Sequence, residues 1–215
     1  MTRIFITGGS SAIGQSVVSE LIAHKYNVTA LTHRKFLPGG LPVKTIAGSI
    51  LEPESYKAVA RDAEVILHLA GLSHSDIPKQ YDDVNTEGTR CLLGVCAPTA
   101  FFVYLSTRCA HPDGGDYALS KLRAEQAVMS SGLRYAVVRP AEVYGTKEGE
   151  GIDRLIQLAL RYRVVLDFRQ HGAAAYAPIS ADEVVCFLVE AVEHQRRDKA
   201  VYTLCAENSW TANDI

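Results

Sequence analysis

Apolar and polar positions alternate along the chain in two rhythms, short solid runs and longer one-sided stripes. Ile4, Phe5 and Ile6 form a solid run, residues 7–14 are small or polar apart from Ile13, and 15–24 carry an amphipathic stripe. These predict a strand, a glycine turn and a helix. A second strand is expected over 27–31, where Val28, Ala30 and Leu31 are apolar, then a turn-like stretch over 33–41 and a third strand over 43–47. A short helix is expected over 53–60, with Pro53 suited to a first helical turn. Residues 65–71 are almost continuously apolar, as a strand covered on both faces of a parallel sheet must be. His68 within that run reads as a satisfied interior histidine. Helical stripes over 80–97 and 117–131 then alternate with strands over 101–105 and 135–138, with Pro98 beyond the first helix and Gly132 ending the second. Asn85 is the polar exception inside the 80–97 stripe.

Alternation of this kind means a doubly wound α/β sheet, whose ligands bind at the carboxyl ends of the strands. Past residue 140 the pattern breaks into pieces: Val143-Tyr144-Gly145, a helix over 152–161, a strand over 164–166, a helix over 180–194 and a strand over 201–204. Residues 1–140 are therefore expected to form a dinucleotide-binding core, and 141–215 a small substrate-binding part interleaved with the last core elements. Residues 211–215 look like a helix just starting, so a C-terminal segment is expected to be missing.

Composition narrows the partners. With 215 residues, net charge −2 and no basic block, nucleic acid is a poor fit. No apolar run approaches the roughly 20 residues of a membrane helix, and Met1-Thr2-Arg3 leads directly into a strand, so the cytoplasm is expected. Cys91, Cys96, Cys109, Cys186 and Cys205 make no paired or ligand-like spacing, so they read as reduced thiols and no metal is expected.

The glycine turn is the first place with chemistry. A strand, a glycine turn and a helix N-terminus aim backbone N–H groups at one point, which suits a pyrophosphate. Gly8 would make the tight turn and Gly14 would let the helix approach the sheet, while Ser11 holds the place of the middle glycine. At the end of the second strand, an acid would bind the ribose hydroxyls of NAD. Thr32 stands there instead, followed by His33 and Arg34, which leans toward the extra phosphate of NADP without excluding NAD. Tyr117 and Lys121 lie four apart on a predicted helix and share a face, a spacing also common by chance. An ammonium beside a phenol stabilises phenolate, and Ser106-Thr107 at the preceding strand's end add hydroxyls for the same substrate oxygen.

On Thr7 to Gly14, His68-Leu69-Ala70-Gly71, residues 84–89, Ser106-Thr107, Tyr117-x-x-x-Lys121 and Arg139-Pro140-Ala141-Glu142-Val143-Tyr144-Gly145, the chain resembles the short-chain dehydrogenase/reductase superfamily. The last of these and residues 179–184 resemble its extended, sugar-nucleotide-modifying branch, so the resemblance implies a Rossmann fold. It implies Tyr117 as general acid/base, Lys121 lowering its pKa and holding the nicotinamide ribose, and Thr107 orienting the substrate oxygen. The cofactor site it implies takes in Gly8, Ser10, Ser11, Ala12, Ile13 and Gly14, then His33, Arg34, Ser49 and Ile50. Leu69, Ala70, Gly71, Asn85, Ser106, Tyr117, Lys121, Pro140 and Val143 complete it, and Arg139 reads as structural.

Three departures mark this chain: Ser11 for glycine, Ser49 where many relatives carry aspartate, and a short interval from Thr107 to Tyr117. Arg108 and Cys109 stand where dehydratases of the branch carry acids, which disfavours 4,6-dehydration. Two enzyme readings remain, epimerisation of a nucleotide-sugar and reduction of a carbonyl compound, with a non-catalytic NAD(P)-binding regulatory or assembly protein as the alternative. The resemblance further implies a homodimer through the helices around 85–97 and 117–131.

Overall fold

The computed structural model describes residues 1–33, 37, 41–146, 152–163, 176–195 and 199–209. Its centre is a seven-stranded parallel sheet. The strands are β1 (Arg3–Thr7), β2 (Asn27–Thr32), β3 (Lys44–Ala47), β4 (Val65–His68), β5 (Phe101–Leu105), β6 (Arg134–Pro140) and, late in the chain, β9 (Ala200–Leu204). They lie in the order β3-β2-β1-β4-β5-β6-β9, so the winding reverses between β1 and β4. A crevice opens at such a reversal, beyond the strands' carboxyl ends. Register levels those ends: Thr7 pairs with His68, His68 with Tyr104 and Tyr104 with Val137.

Both faces of the sheet are covered, which is why β1, β4 and β5 are apolar on consecutive positions. One face packs Ile4, Ile6, Leu67 and Val103 against α1 (Ala12–Ala23) and α7 (Ala181–His194). The other packs Phe5, Ile66, Phe102 and Val137 against Tyr56, Leu92, Ala124 and Val128. Those come from the stretch around α2 (Lys57–Asp62), from α4 (Gly88–Leu93) and from α5 (Gly115–Ser130). Pro53 opens a 3₁₀ turn over Pro53–Ser55 rather than an α-helix, and α2 follows it.

Helix α1 begins at Ala12, three residues before the amphipathic stripe, because the Ser11 hydroxyl accepts a hydrogen bond from the Gly14 N–H and caps it. The stripe at 80–97 is not one α-helix. It runs as α3 (Pro78–Tyr81), a π-helical segment over Asp82–Glu87, and α4, which stops at Leu93. Beyond Pro140, β7 (Val143–Tyr144) pairs in parallel with β8 (Ile179–Ser180) as a separate two-stranded ribbon, and α6 spans Ile152–Tyr162. Ser180 and Glu183 form a capping box that starts α7. The expected strand at 164–166, the helix start at 211–215 and Arg34 lie outside the described residues. No helix among the described residues is long and apolar enough to cross a membrane.

Candidate active site

The turn after β1 is held by its own atoms. Gly8 takes φ +75°, a left-handed conformation that favours glycine. Its carbonyl accepts from Ser11 N–H (3.1 Å) and from Ser11 Oγ (2.9 Å). A side chain at Gly8 would collide with the backbone of Leu69 and Ala70, since its Cβ would sit 2.8 Å from Ala70 Cα. A Cβ at Gly14 would strike Gly8 O and lie 2.8 Å from Gly9 Cα. Gly14 therefore lets the helix approach the turn itself, where closeness to the sheet was expected. Ser11 has φ −72° and ψ 165°, open to any residue, and its hydroxyl folds back onto the turn. A serine thus fits where a third glycine was the pattern. Ser10, Ala12 and Ile13 complete the turn and the first helical positions, whose N–H groups point outward at a helix start.

Around this turn the other expected positions gather at the same edge of the sheet. Leu69 N–H donates to Thr7 O (3.0 Å) and Ala70 N–H reaches Thr7 Oγ1 (3.4 Å), which brings the end of β4 against the turn. Gly71 faces Asn85: a Cβ there would lie 3.2 Å from Asn85 Oδ1 and 3.6 Å from Lys121 Nζ. Asn85 is buried on the π-helical segment, accepts from Leu72 N–H (2.7 Å) and donates to Leu72 O (3.1 Å) and Ser120 Oγ (3.0 Å). Ser106 N–H donates to Val138 O (2.7 Å), yet its buried Oγ has no partner. Pro140 ends β6 and accepts from Arg108 N–H (2.8 Å), and Val143 follows on β7. Ser49 accepts from Leu51 N–H (3.2 Å), and Ile50 packs beneath Gly88. Thr32 is buried and donates to Ile46 O (3.2 Å), while His33 is exposed beyond β2.

Tyr117 and Lys121 share a face of α5, as their spacing predicts, but their electrostatics differ from the expected phenol-and-ammonium couple. Burial raises the Tyr117 phenol above its usual range, Cys109 adds to that, and the hydrogen bond with Thr107 opposes it. Lys121 is 4% exposed, and burial pulls its pKa down to about 7 against the pull of Glu125. Its Nζ donates to Leu105 O (2.8 Å) and stands 4.4 Å over the Tyr104 ring. Tyr81 meets the Tyr117 ring edge-on, with centroids 5.9 Å apart. Arg139 is structural as expected: it forks onto the fully buried Glu125 and so ties β6 to α5.

Several partners escaped sequence reasoning. The Arg108 guanidinium grips Glu142 at 2.7 and 2.9 Å, and Glu142 also accepts from Ala177 N–H (3.3 Å), which pins the loop after Thr107 to the β7–β8 ribbon. Ser120 joins Asn85 to the Tyr117 carbonyl through a 2.7 Å bond. Neither pairing has a local signal, since 34 or 35 residues separate the partners.

The edge fits a dinucleotide on two observations. A Cβ would fill the cradle at Gly8 and Gly14, and the Ser106 hydroxyl is buried with nothing to bond. Comparison with known proteins agrees with that geometry. The chain is 29% identical over 191 residues to the ceramide reductase of Caulobacter vibrioides, covering 86% of this chain and 60% of that protein. It is 25% identical over 180 residues to the 4-hydroxy-2-methyl-3-oxo-4-farnesyl-3,4-dihydroquinoline-1-oxide ketoreductase of Stigmatella aurantiaca, covering 72% and 54%. The chain thus spans less than two thirds of the length of these relatives. In three dimensions it is similar to MoeE5 in complex with UDP-glucuronic acid and NAD, with a TM-score of 0.83 at 22% identity over 98% of this chain and 79% of that one. It is also similar to the UDP-glucose 4-epimerase of Thermotoga maritima, with a TM-score of 0.82 at 22% identity over 99% and 80%. At such identities the likeness is one of fold. Residues 4–205 match the model of the NAD dependent epimerase/dehydratase family, and the chain belongs to that family.

Proposed function

We propose that this protein is an NAD(P)-dependent oxidoreductase that reduces a carbonyl group of a small molecule to a carbinol. The observation that carries the reading is Tyr117 on α5, with Thr107 near enough to oppose the rise of its phenol and the buried Lys121 one turn further along the same face, at the edge that also bears the glycine cradle. A phenol raised by burial is protonated at neutral pH, which suits a proton donor. Tyr117 gives its proton to the substrate oxygen as the carbon is reduced, Thr107 orients that oxygen, and Lys121 holds the nicotinamide ribose. Gly8, Ser10, Ser11, Ala12, Ile13 and Gly14 hold the pyrophosphate. Ser49, Ile50, Leu69, Ala70 and Gly71 line the adenosine side, and Asn85, Ser106, Pro140 and Val143 the nicotinamide side. The nicotinamide, when bound, supplies the hydride.

NADP is the favoured form, because Thr32 offers no carboxylate to a ribose and His33 stands exposed beside it. The ribbon β7–β8 and α6, in the expected substrate part 141–215, form the substrate side. Both relatives described above carry the name of a reductase, and those names, a ceramide and a farnesyl-bearing ring, make long-chain ketones the first compounds to screen. The family's description, which names epimerases, together with the UDP-glucose 4-epimerase that the chain is similar to in fold, favours a second reading, redox-neutral epimerisation of a nucleotide-sugar. A homodimer through α4 and α5 is part of the proposal, supported by the exposed Met129 on α5.

The test is cofactor titration followed by turnover. Tight NADPH binding with consumption of NADPH on a ketone supports the reading, and Tyr117→Phe should lower kcat by about 10²–10⁴-fold with binding kept. Copurified NAD with interconversion of UDP-sugars would replace it by the epimerase, binding with no turnover by the regulatory alternative, and no micromolar binding would overturn it. Light scattering tests the dimer.

A further inference from the structure

A chain of buried hydrogen bonds crosses the carboxyl edge of the sheet, and every proton in it can be assigned. Thr89 Oγ1 donates its single proton to Asn85 O (2.6 Å). Toward His68 Nε2, at 2.9 Å, it can then only accept, so Nε2 carries the ring proton. His68 is fully buried, and burial and Lys121 lower its pKa to about 3, so the ring is neutral and Nδ1 is an acceptor. Thr7 Oγ1 donates to that nitrogen at 2.6 Å and accepts in turn from Ala70 N–H at 3.4 Å. One direction of donation therefore runs from the end of β1 through the imidazole to α4. Phe102 and Tyr104 flank the ring at centroid distances of 5.9 and 5.3 Å.

What the imidazole holds is the π-helical segment. A π-helical turn is disfavoured unless side chains or tertiary contacts hold it, and it recurs at functional sites. Here Asn85 O, on that segment, takes its bond from Thr89, and the Asn85 side chain continues to Leu72, Ser120 and the carbonyl of Tyr117. We propose that His68 is a positioning residue: its neutral, Nε2-protonated ring locks the Asn85 segment to the glycine-turn end of β1 and so keeps Tyr117 in register with the cofactor cradle. His68 touches no substrate in this scheme and acts through Thr89 and Asn85. Only the kinetic consequence rests on the function proposed above.

The experiment has two arms that need no substrate. Ring ¹⁵N NMR of the full chain, with His68 assigned by the signal missing in His68→Gln, should show a neutral Nε2–H tautomer unchanged between about pH 5.5 and 8. A ring protonated on Nδ1, or one that titrates in that range, overturns the proposal. Hydrogen exchange over residues 82–89 should accelerate about tenfold in His68→Leu and in Thr89→Val, and no further in the double variant. His68→Gln keeps a donor toward Thr89 and should stay within about threefold of the parent. Parent-like exchange in a folded His68→Leu, or losses that multiply in the double variant, would overturn it. If His68→Leu does not fold, Thr89→Val and His68→Gln decide the matter. Once a substrate is known, Thr89→Val should lower kcat with KM nearly unchanged. Failure to find a substrate would count against the proposed function and leave both other arms standing.

Discussion

Three glycines within seven residues make different demands, and replacing each by alanine separates them. At Gly14 the added Cβ strikes Gly8 O and comes within 2.8 and 2.9 Å of Gly9 backbone atoms. No flexible side chain can yield, so the cost falls at the upper end of overpacking, about 3 kcal/mol. At Gly8 the Cβ meets the Leu69–Ala70 backbone, and the φ of +75° adds roughly 1–2 kcal/mol for a non-glycine residue. At Gly9 the nearest atoms, Ala30 Cβ and Val18 Cγ2, lie at 3.5 Å, an ordinary contact. Gly9→Ala should therefore cost less than about 0.5 kcal/mol, or stabilise slightly by restricting the unfolded chain. Binding should follow the same order. On the proposed dinucleotide site, a turn displaced at Gly14 would lose one or two charge-assisted hydrogen bonds to phosphate, worth about 1.5–3 kcal/mol each, so nicotinamide-dinucleotide affinity should fall at least about tenfold. Urea unfolding and NADPH fluorescence titration of the three variants measure both effects. Equal behaviour of Gly9→Ala and Gly14→Ala, or parent-like affinity in Gly14→Ala, would refute the cradle geometry.

Other perturbations probe the supports around the site. Glu125→Ala strips the fully buried partner from Arg139, whose side chain is only 28% exposed, and should cost about 3 kcal/mol in urea unfolding, loosening α5 from β6. Lys121 has a folded-state pKa of about 7 against an ordinary 10.5, so between those values the unfolded chain holds a proton that the folded chain has released. Stability should therefore rise as the pH goes from about 7 to 10.5, by at most roughly 1.4 kcal/mol for each pH step of one, and Lys121→Met should flatten that rise in melts at pH 7 and 9. Ser180→Ala removes the side-chain half of the α7 capping box and should lower stability by about 1 kcal/mol, while Ser180→Thr should lose far less.

What is legible in the sequence follows from where the stabilising contacts lie. Strands β1, β4 and β5 are readable because covering both faces of a parallel sheet leaves no polar positions to interrupt the run. Helix α5 and the pairing of Tyr117 with Lys121 on one face follow from spacing alone. The stripe at 80–97 misleads because its π-helical segment is held from outside. Asn85 Nδ2 donates to Ser120 Oγ on α5, and Thr89 meets His68 on β4, so no helical periodicity could show it. The capping box at Ser180 and Glu183 has a readable local pattern, which in the sequence serves only as part of a family likeness. Tyr117 shows a further limit: spacing places Lys121 beside it, but burial, a property of the folded chain, sets the direction in which the phenol shifts.

The π-helical segment also makes chain length part of the site's code. An α-helix advances about 100° per residue, so a wider turn over Asp82–Glu87 changes the phase of everything after it. Deleting one residue there, with no side chain altered in kind, would close the wide turn into an ordinary α-turn: Thr89 and Leu92 would keep nearly the faces that now meet His68 and the core, because the wide turn takes up one extra residue, but the widened backbone that carries Asn85 would be lost. Among relatives this stretch should therefore tolerate substitutions far more readily than changes in length.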